Sequence, residues 1–204
     1  MKSFRAFGLA ILAGIILVAG CSDTPRISLL PSDAVVLAFG DSLTYGTGAK
    51  EDESYPTQLE AIIGRQVVNA GVPGEVTAAG HKRLPELLDH YQPALLILCH
   101  GGNDMLRRQS RDQTIANLKA MIDAARNRNI SVLLISVPQL GLLLDSAPFY
   151  SEIAAAYKIP CEDDIMSDIL AQRELKSDAI HPNAAGYRLL ARGIADLLQK
   201  SGAI

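Results

Sequence analysis

From residue 34 onward, short apolar runs alternate with amphipathic helical patterns, and that alternation constrains the fold more than any other feature. The runs at 34–39, 66–69, 94–99, 130–136 and 159–161 are dominated by Val, Ile, Leu and other small apolar residues. Parallel strands covered on both faces read this way, because neither face meets water and no polar alternation is required. The segments between them have the helical period. Ile115, Leu118, Ile122 and Ala125 fall on one face of a predicted helix, with Ser110 or Asp112 placed to cap it. Tyr187, Leu190, Ala191, Ile194, Leu197 and Leu198 repeat the spacing in a last helix, and Gly202 lies past its end. Five strands with crossover helices predict an α/β fold: a three-layer α/β/α sandwich around a five-stranded parallel sheet in flavodoxin-like order.

The first twenty residues do not belong to that pattern. Lys2 and Arg5 precede an uncharged, largely apolar stretch from Ala6 to Gly20. It is short for a membrane span, which needs about 20 apolar residues, but has the form of a secretory signal. The stretch ends Val18-Ala19-Gly20-Cys21, which resembles the lipobox of bacterial lipoproteins, where cleavage leaves an acylated cysteine first. Residues 1–20 are therefore expected to be a lipoprotein-type signal peptide. Residues 21–33, polar and carrying two prolines, are expected to be a lipidated tether, and 34–204 a single domain. The expected location is the bacterial cell envelope, with Cys21 holding the protein to a membrane through lipid.

Removing the signal leaves 184 residues, enough for one proper core, and moves the net charge from −3 to −5. No basic run or aromatic–basic interleaving remains, so nucleic acid is not an expected partner. Cys99 closes one predicted strand and Cys161 opens another, near opposite edges of a parallel sheet, so free thiols are expected instead of a disulfide. No clustered His/Cys spacing suggests a metal, and nothing in the chain calls for a cofactor.

Chemistry concentrates at the ends of the predicted strands. The first runs into Phe39-Gly40-Asp41-Ser42-Leu43-Thr44, which puts a hydroxyl at the carboxyl edge of the sheet, where open α/β folds keep their sites. A serine needs a base to take its proton, and neutral imidazole suits that task. Four histidines are available. His81, beside Lys82 and Arg83 at the start of a predicted helix, and His90, at its end, read as surface residues. His181 has Asp178 three residues earlier, one helical turn in spacing, and Pro182 behind it; that carboxylate can fix the ring's tautomer. His100 is the rival, next to Cys99 at a strand end.

Acyl transfer also needs donors for an oxyanion, and two loops offer them. In Asn69-Ala70-Gly71-Val72-Pro73-Gly74, Gly74 can present an unobstructed N–H, with Gly71 as the alternative. In His100-Gly101-Gly102-Asn103-Asp104, Asn103 can donate its amide. Asp41 reads as an acceptor that fixes its own loop, Asp104 as a loop or helix-start residue, and Arg107 and Arg108 as solvated surface.

Four blocks in order, Gly40-Asp41-Ser42-Leu43, Asn69–Gly74, Gly101-Gly102-Asn103-Asp104 and Asp178-x-x-His181, resemble the GDSL or SGNH hydrolase family across essentially the whole mature chain. Within it the nearest likeness is to the periplasmic acyl-CoA thioesterase/lysophospholipase/arylesterase branch. The resemblance implies Ser42 as nucleophile, His181 as base and Asp178 as its orienter. It implies the Ser42 backbone N–H, Gly74 and Asn103 as oxyanion donors. Cys99-His100 departs from the pattern and leaves the role of His100 open. No Gly-x-Ser-x-Gly occurs, which disfavours an ordinary α/β-hydrolase.

The expected reaction is hydrolysis of a carboxylic ester or thioester, such as a lysophospholipid, acyl-CoA or aryl ester, through acyl-Ser42. The partners are then a small ester or lipid substrate and a membrane. Leu140-Gly141-Leu142-Leu143-Leu144 and Pro148-Phe149-Tyr150, beyond the fourth strand, are expected either to floor an acyl groove or to pack the core. Two other readings compete: a polysaccharide O-acetyl esterase, disfavoured by 5% aromatic residues and no Trp, and a non-catalytic lipid- or glycan-binding lipoprotein.

Overall fold

The computed structural model describes residues 24–139 and 145–204. The apolar runs form strands β1 (Val35–Gly40), β2 (Gln66–Gly71), β3 (Leu95–Cys99), β4 (Ser131–Ile135) and β5 (Cys161–Glu162). All are parallel, in the order β2-β1-β3-β4-β5. β3 and most of β1 are wholly buried, as their unbroken apolar sequences require. The order reverses at β1, which pairs with β2 on one side and β3 on the other, and that switch point leaves a crevice at the carboxyl ends.

The helices are α1 (Ser42–Tyr45), α2 (Tyr55–Ile63), α3 (Thr77–Tyr91), α4 (Gly102–Leu106), α5 (Arg111–Arg126), α6 (Phe149–Tyr157), α7 (Ile165–Ala171) and α8 (Ala184–Lys200). α2 packs on α8 and α3 on α5, so the sheet carries a helical layer on each face. The sandwich and flavodoxin-like order expected from the sequence are present. Ser110 supplies the cap of α5, its hydroxyl accepting the Gln113 N–H. Tyr187, Leu190, Ala191, Ile194 and Leu198 of α8 are buried, as their spacing demands.

The segment 21–33, expected to be a lipidated tether, is pinned over part of its length. The Ile27 N–H donates to the Ser201 carbonyl (3.0 Å) and the Leu30 N–H to that of Ala203 (2.8 Å), and both side chains join the core. These two apolar residues cover the end of α8 at the amino edge of the sheet, opposite the crevice. Cys99 and Cys161 are both free, as their placement in β3 and β5 suggested.

Candidate active site

β1 delivers Ser42. A side chain at Gly40 would overlap the Cys99 carbonyl oxygen and the Thr44 hydroxyl, so only glycine lets β1 end this close to β3. The next residue, Asp41, is buried, and its Oδ1 accepts the Leu43 N–H at 3.1 Å, opening α1 with Ser42 as the first residue. Asp41 thus fixes its loop, as expected, and burial pushes its carboxyl above the ordinary range.

The other half comes from the loop before α8. His181 Nε2 lies 3.0 Å from Ser42 Oγ, and His181 Nδ1 lies 2.8 Å from Asp178 Oδ2. The three-residue spacing is realised in a tight loop and not in a helix. Asp178 Oδ1 accepts the N–H groups of both Ile180 and His181 at 2.8 Å, and the Ser177 N–H donates to the His181 carbonyl. Asn183 closes the loop by capping α8, its Oδ1 accepting from Ala185 and Gly186. Desolvation lifts the Asp178 carboxyl, but the His181 ring bond and the two N–H groups outweigh it and hold it below the usual range. With Nδ1 bonded to a carboxylate, the Nε2 facing Ser42 is the basic nitrogen.

The two candidate glycines differ. Gly71 ends β2, and its N–H is taken by Asn69 Oδ1 at 3.0 Å. Gly74 has φ +77° and occupies the third position of a turn closed by the Glu75 N–H on the Val72 carbonyl. Pro73 before it makes this a type II turn, in which glycine is the natural residue. Among the described residues none accepts the Gly74 N–H or the Ser42 N–H. Asn103 lines the same crevice as Ser42 and His181 but is already engaged. Its Nδ2 donates to Asp41 Oδ2 (3.2 Å) and to the Glu75 carbonyl (3.1 Å).

His100, the rival base, is ruled out by its contacts. It is fully buried, Nε2 faces Glu75 Oε2 at 3.1 Å, and Nδ1 accepts the Gly101 N–H. His81 sits within α3 and not at its start, and His90 is near its end. Arg83 grips Glu75 with Nε (3.0 Å) and Nη2 (2.7 Å). Sequence reasoning passed over Glu75 and Arg83, because their partners are set by the packing of α3 on the β2 and β3 loops. Arg107 is exposed, yet its Nη2 donates to the Gly74 carbonyl at 2.8 Å. Asp104, in the first turn of α4, ties the helices together by accepting from Thr77 and Thr114.

The crevice beside Ser42 is apolar, lined by Leu43, Leu106, Val137, Pro138, Leu170 and Ile180. Of the residues expected to floor an acyl groove or to pack the core, 140–144 lie outside the described residues. Phe149 and Tyr150 start α6 and are buried in the core, because the Tyr150 hydroxyl is drawn inward to the His100 carbonyl at 2.8 Å.

Residues 38–189 match the model of the GDSL-like lipase/acylhydrolase family. Esterase TesA of Pseudomonas aeruginosa is 30% identical over 187 residues, covering 86% of this chain and 93% of that protein. Thioesterase 1/protease 1/lysophospholipase L1 of Escherichia coli K12 is 28% identical over 80% of this chain and 83% of its own length. Among solved structures, AlinE4, a SGNH-hydrolase family esterase, superposes with a TM-score of 0.64 at 30% identity, covering 84% of this chain and 98% of its own. The match runs through the strand-end serine and both loops that face it, and the chain belongs to the GDSL-like lipase/acylhydrolase family of ester-hydrolysing enzymes.

Proposed function

We propose that the protein cleaves carboxylic esters or thioesters of apolar acyl groups through an acyl-Ser42 intermediate. The observation that carries this reading is the unbroken line from Asp178 Oδ2 through His181 to Ser42 Oγ, with contacts of 2.8 and 3.0 Å. As Ser42 Oγ bonds to the carbonyl carbon, its proton passes to His181 Nε2. The carbonyl oxygen becomes an anion facing the free N–H groups of Ser42 and Gly74, and the Asn103 amide joins them by sharing a proton now held by Asp41 or Glu75. Collapse breaks the bond to the alcohol or thiol, which leaves with the proton from His181. Water then attacks the acyl-enzyme by the same route and releases the carboxylic acid and Ser42.

The apolar lining of the crevice supports an acyl chain as the recognised part of the substrate. The test is labelling with a fluorophosphonate, together with hydrolysis of p-nitrophenyl butyrate. The wild type should label and turn over, and Ser42→Ala should do neither; an active Ser42→Ala protein would overturn the reading.

Cys21 is read as the lipidated first residue of an exported protein, on the strength of Val18-Ala19-Gly20-Cys21 and the basic residues before it. Since Ile27 and Leu30 are packed into the domain, at most residues 21–26 would separate the lipid from the single hydrolase domain. Incorporation of labelled palmitate in the wild type and not in Cys21→Ser checks this.

A further inference from the structure

We infer that His100 is a positioning residue of the oxyanion donors, acting through Glu75. This rests on the ester-hydrolase reading of the same site. His100 Nδ1 accepts the Gly101 N–H at 3.1 Å, so the ring proton sits on Nε2 and is donated to Glu75 Oε2, also at 3.1 Å. Arg83 holds that carboxylate from the other side, its Nε on Oε1 and its Nη2 on Oε2. Arg83 is itself fixed, donating to the Ala70 carbonyl at 3.1 Å and stacking 4.3 Å above the Phe39 ring. Glu75 therefore has no freedom to swing.

What Glu75 carries explains why that matters. It is the residue after Gly74 and closes the Gly74 turn with its own N–H. Its carbonyl is one of the two acceptors that orient the Asn103 amide. Both loop donors toward Ser42 thus hang from one residue whose side chain is clamped. His100 also belongs to the strand end that leads into Gly102 and Asn103, so its ring ties one donor loop to the other. The Tyr150 hydroxyl anchors its carbonyl from the opposite side at 2.8 Å.

The surroundings are shaped for an imidazole. A Cβ at Gly80 on α3 would come within 2.5 Å of His100 Nε2 and 2.9 Å of Cδ2. Only glycine at this helical position leaves space for the ring. The His100–Gly80 pair is a fitted contact, and a small shift of the ring is transmitted directly to Glu75.

The test compares steady-state hydrolysis of p-nitrophenyl butyrate by the full domain and its variants. His100→Leu keeps bulk and removes the donor; His100→Gln restores an N–H at the Nε2 position. His100→Leu should lower kcat by about tenfold with KM within about twofold, the scale of one loosened hydrogen bond in the transition state. His100→Gln should recover most of that loss. In an Asn103→Ala background the same leucine substitution should cost under about threefold, because part of its route has already been removed. Gly80→Ala, which leaves the histidine in place and displaces it, should reproduce the kcat loss if the leucine protein does not fold. The inference is overturned by an unchanged kcat with a lowered melting temperature alone, by a loss confined to KM, or by equal kcat losses in the two backgrounds. A wild type that neither labels nor turns over removes the ester-hydrolase reading itself, whereas an active wild type with an indifferent His100 removes only this inference.

Discussion

His181 has 13% of its side chain exposed, while Asp178 is 52% exposed, and that contrast separates what the two residues should be worth. Water can partly replace a half-solvated carboxylate on a ring nitrogen, but nothing replaces the base. His181→Ala should therefore abolish turnover as completely as Ser42→Ala. Asp178→Asn should retain about one to two orders of magnitude more activity than either, the ordering expected when triad members act as a unit. Rates on p-nitrophenyl butyrate measure both, and an Asp178→Asn protein as dead as His181→Ala would contradict the ordering. Asn103 invites a second comparison. Its amide protons are held by Asp41 and Glu75, so stabilising an oxyanion means sharing one of them. Asn103→Ala should lower kcat by about a hundredfold, the low end for an oxyanion donor, with KM little changed.

At the level of the elements, α8 does more than fill a layer. Its cap, Asn183, two residues beyond His181, accepts from Ala185 and Gly186 and donates to the Glu174 carbonyl at 2.8 Å. Asn183→Ala should cost about 1 kcal/mol of stability by urea unfolding. It should also lower kcat, because the loop that aims His181 loses its lower anchor. The clamp on Glu75 predicts a pH effect. Desolvation opposes ionisation there, but the bonds from His100 and Arg83 win and bring its carboxyl from 4.5 down to about 2. A carboxylate held lower in the folded state contributes stability that is whole above its unfolded value and lost as pH falls through the folded one. Acid destabilisation from this residue should therefore fall between pH 4.5 and about 2, and Glu75→Gln should flatten the stability profile in that window. These elements also show where sequence reading stops. The strands, α8 and the cap of α5 were legible because apolar period and capping chemistry are local. The proposed Ser42, His181 and Asp178 line was legible as a candidate because each residue sits in a short block. The Arg83–Glu75–His100 clamp and the engagement of Asn103 were not, since their partners lie 8 to 62 residues apart and meet only once α3 packs on the sheet.

For the molecule as a whole, the decisive geometry is that the chain enters at one edge of the sheet and does its chemistry at the other. Ile27 and Leu30 bond to Ser201 and Ala203 past the end of α8, while Ser42 and His181 lie at the beginning of that helix. The 17 residues of α8 span about 25 Å at 1.5 Å per residue. Residues 21–26, even fully extended, reach at most about 20 Å. If Cys21 carries lipid, this tether is too short to run around the domain and turn the crevice back to its own bilayer. The anchored enzyme should face away from that membrane and work on esters arriving from the aqueous side. Reconstituted into dilute vesicles, the lipidated protein should hydrolyse a soluble p-nitrophenyl ester as fast as the unanchored domain. It should be much slower than the unanchored domain on lysophospholipid embedded in its own bilayer. Inserting about twenty Gly/Ser residues after Asp23 adds a flexible span of about 25 Å, enough to let the domain invert, and should restore cleavage of the embedded lipid. Equal rates on embedded lysophospholipid with the native and the lengthened tether would show that the domain's orientation does not control access.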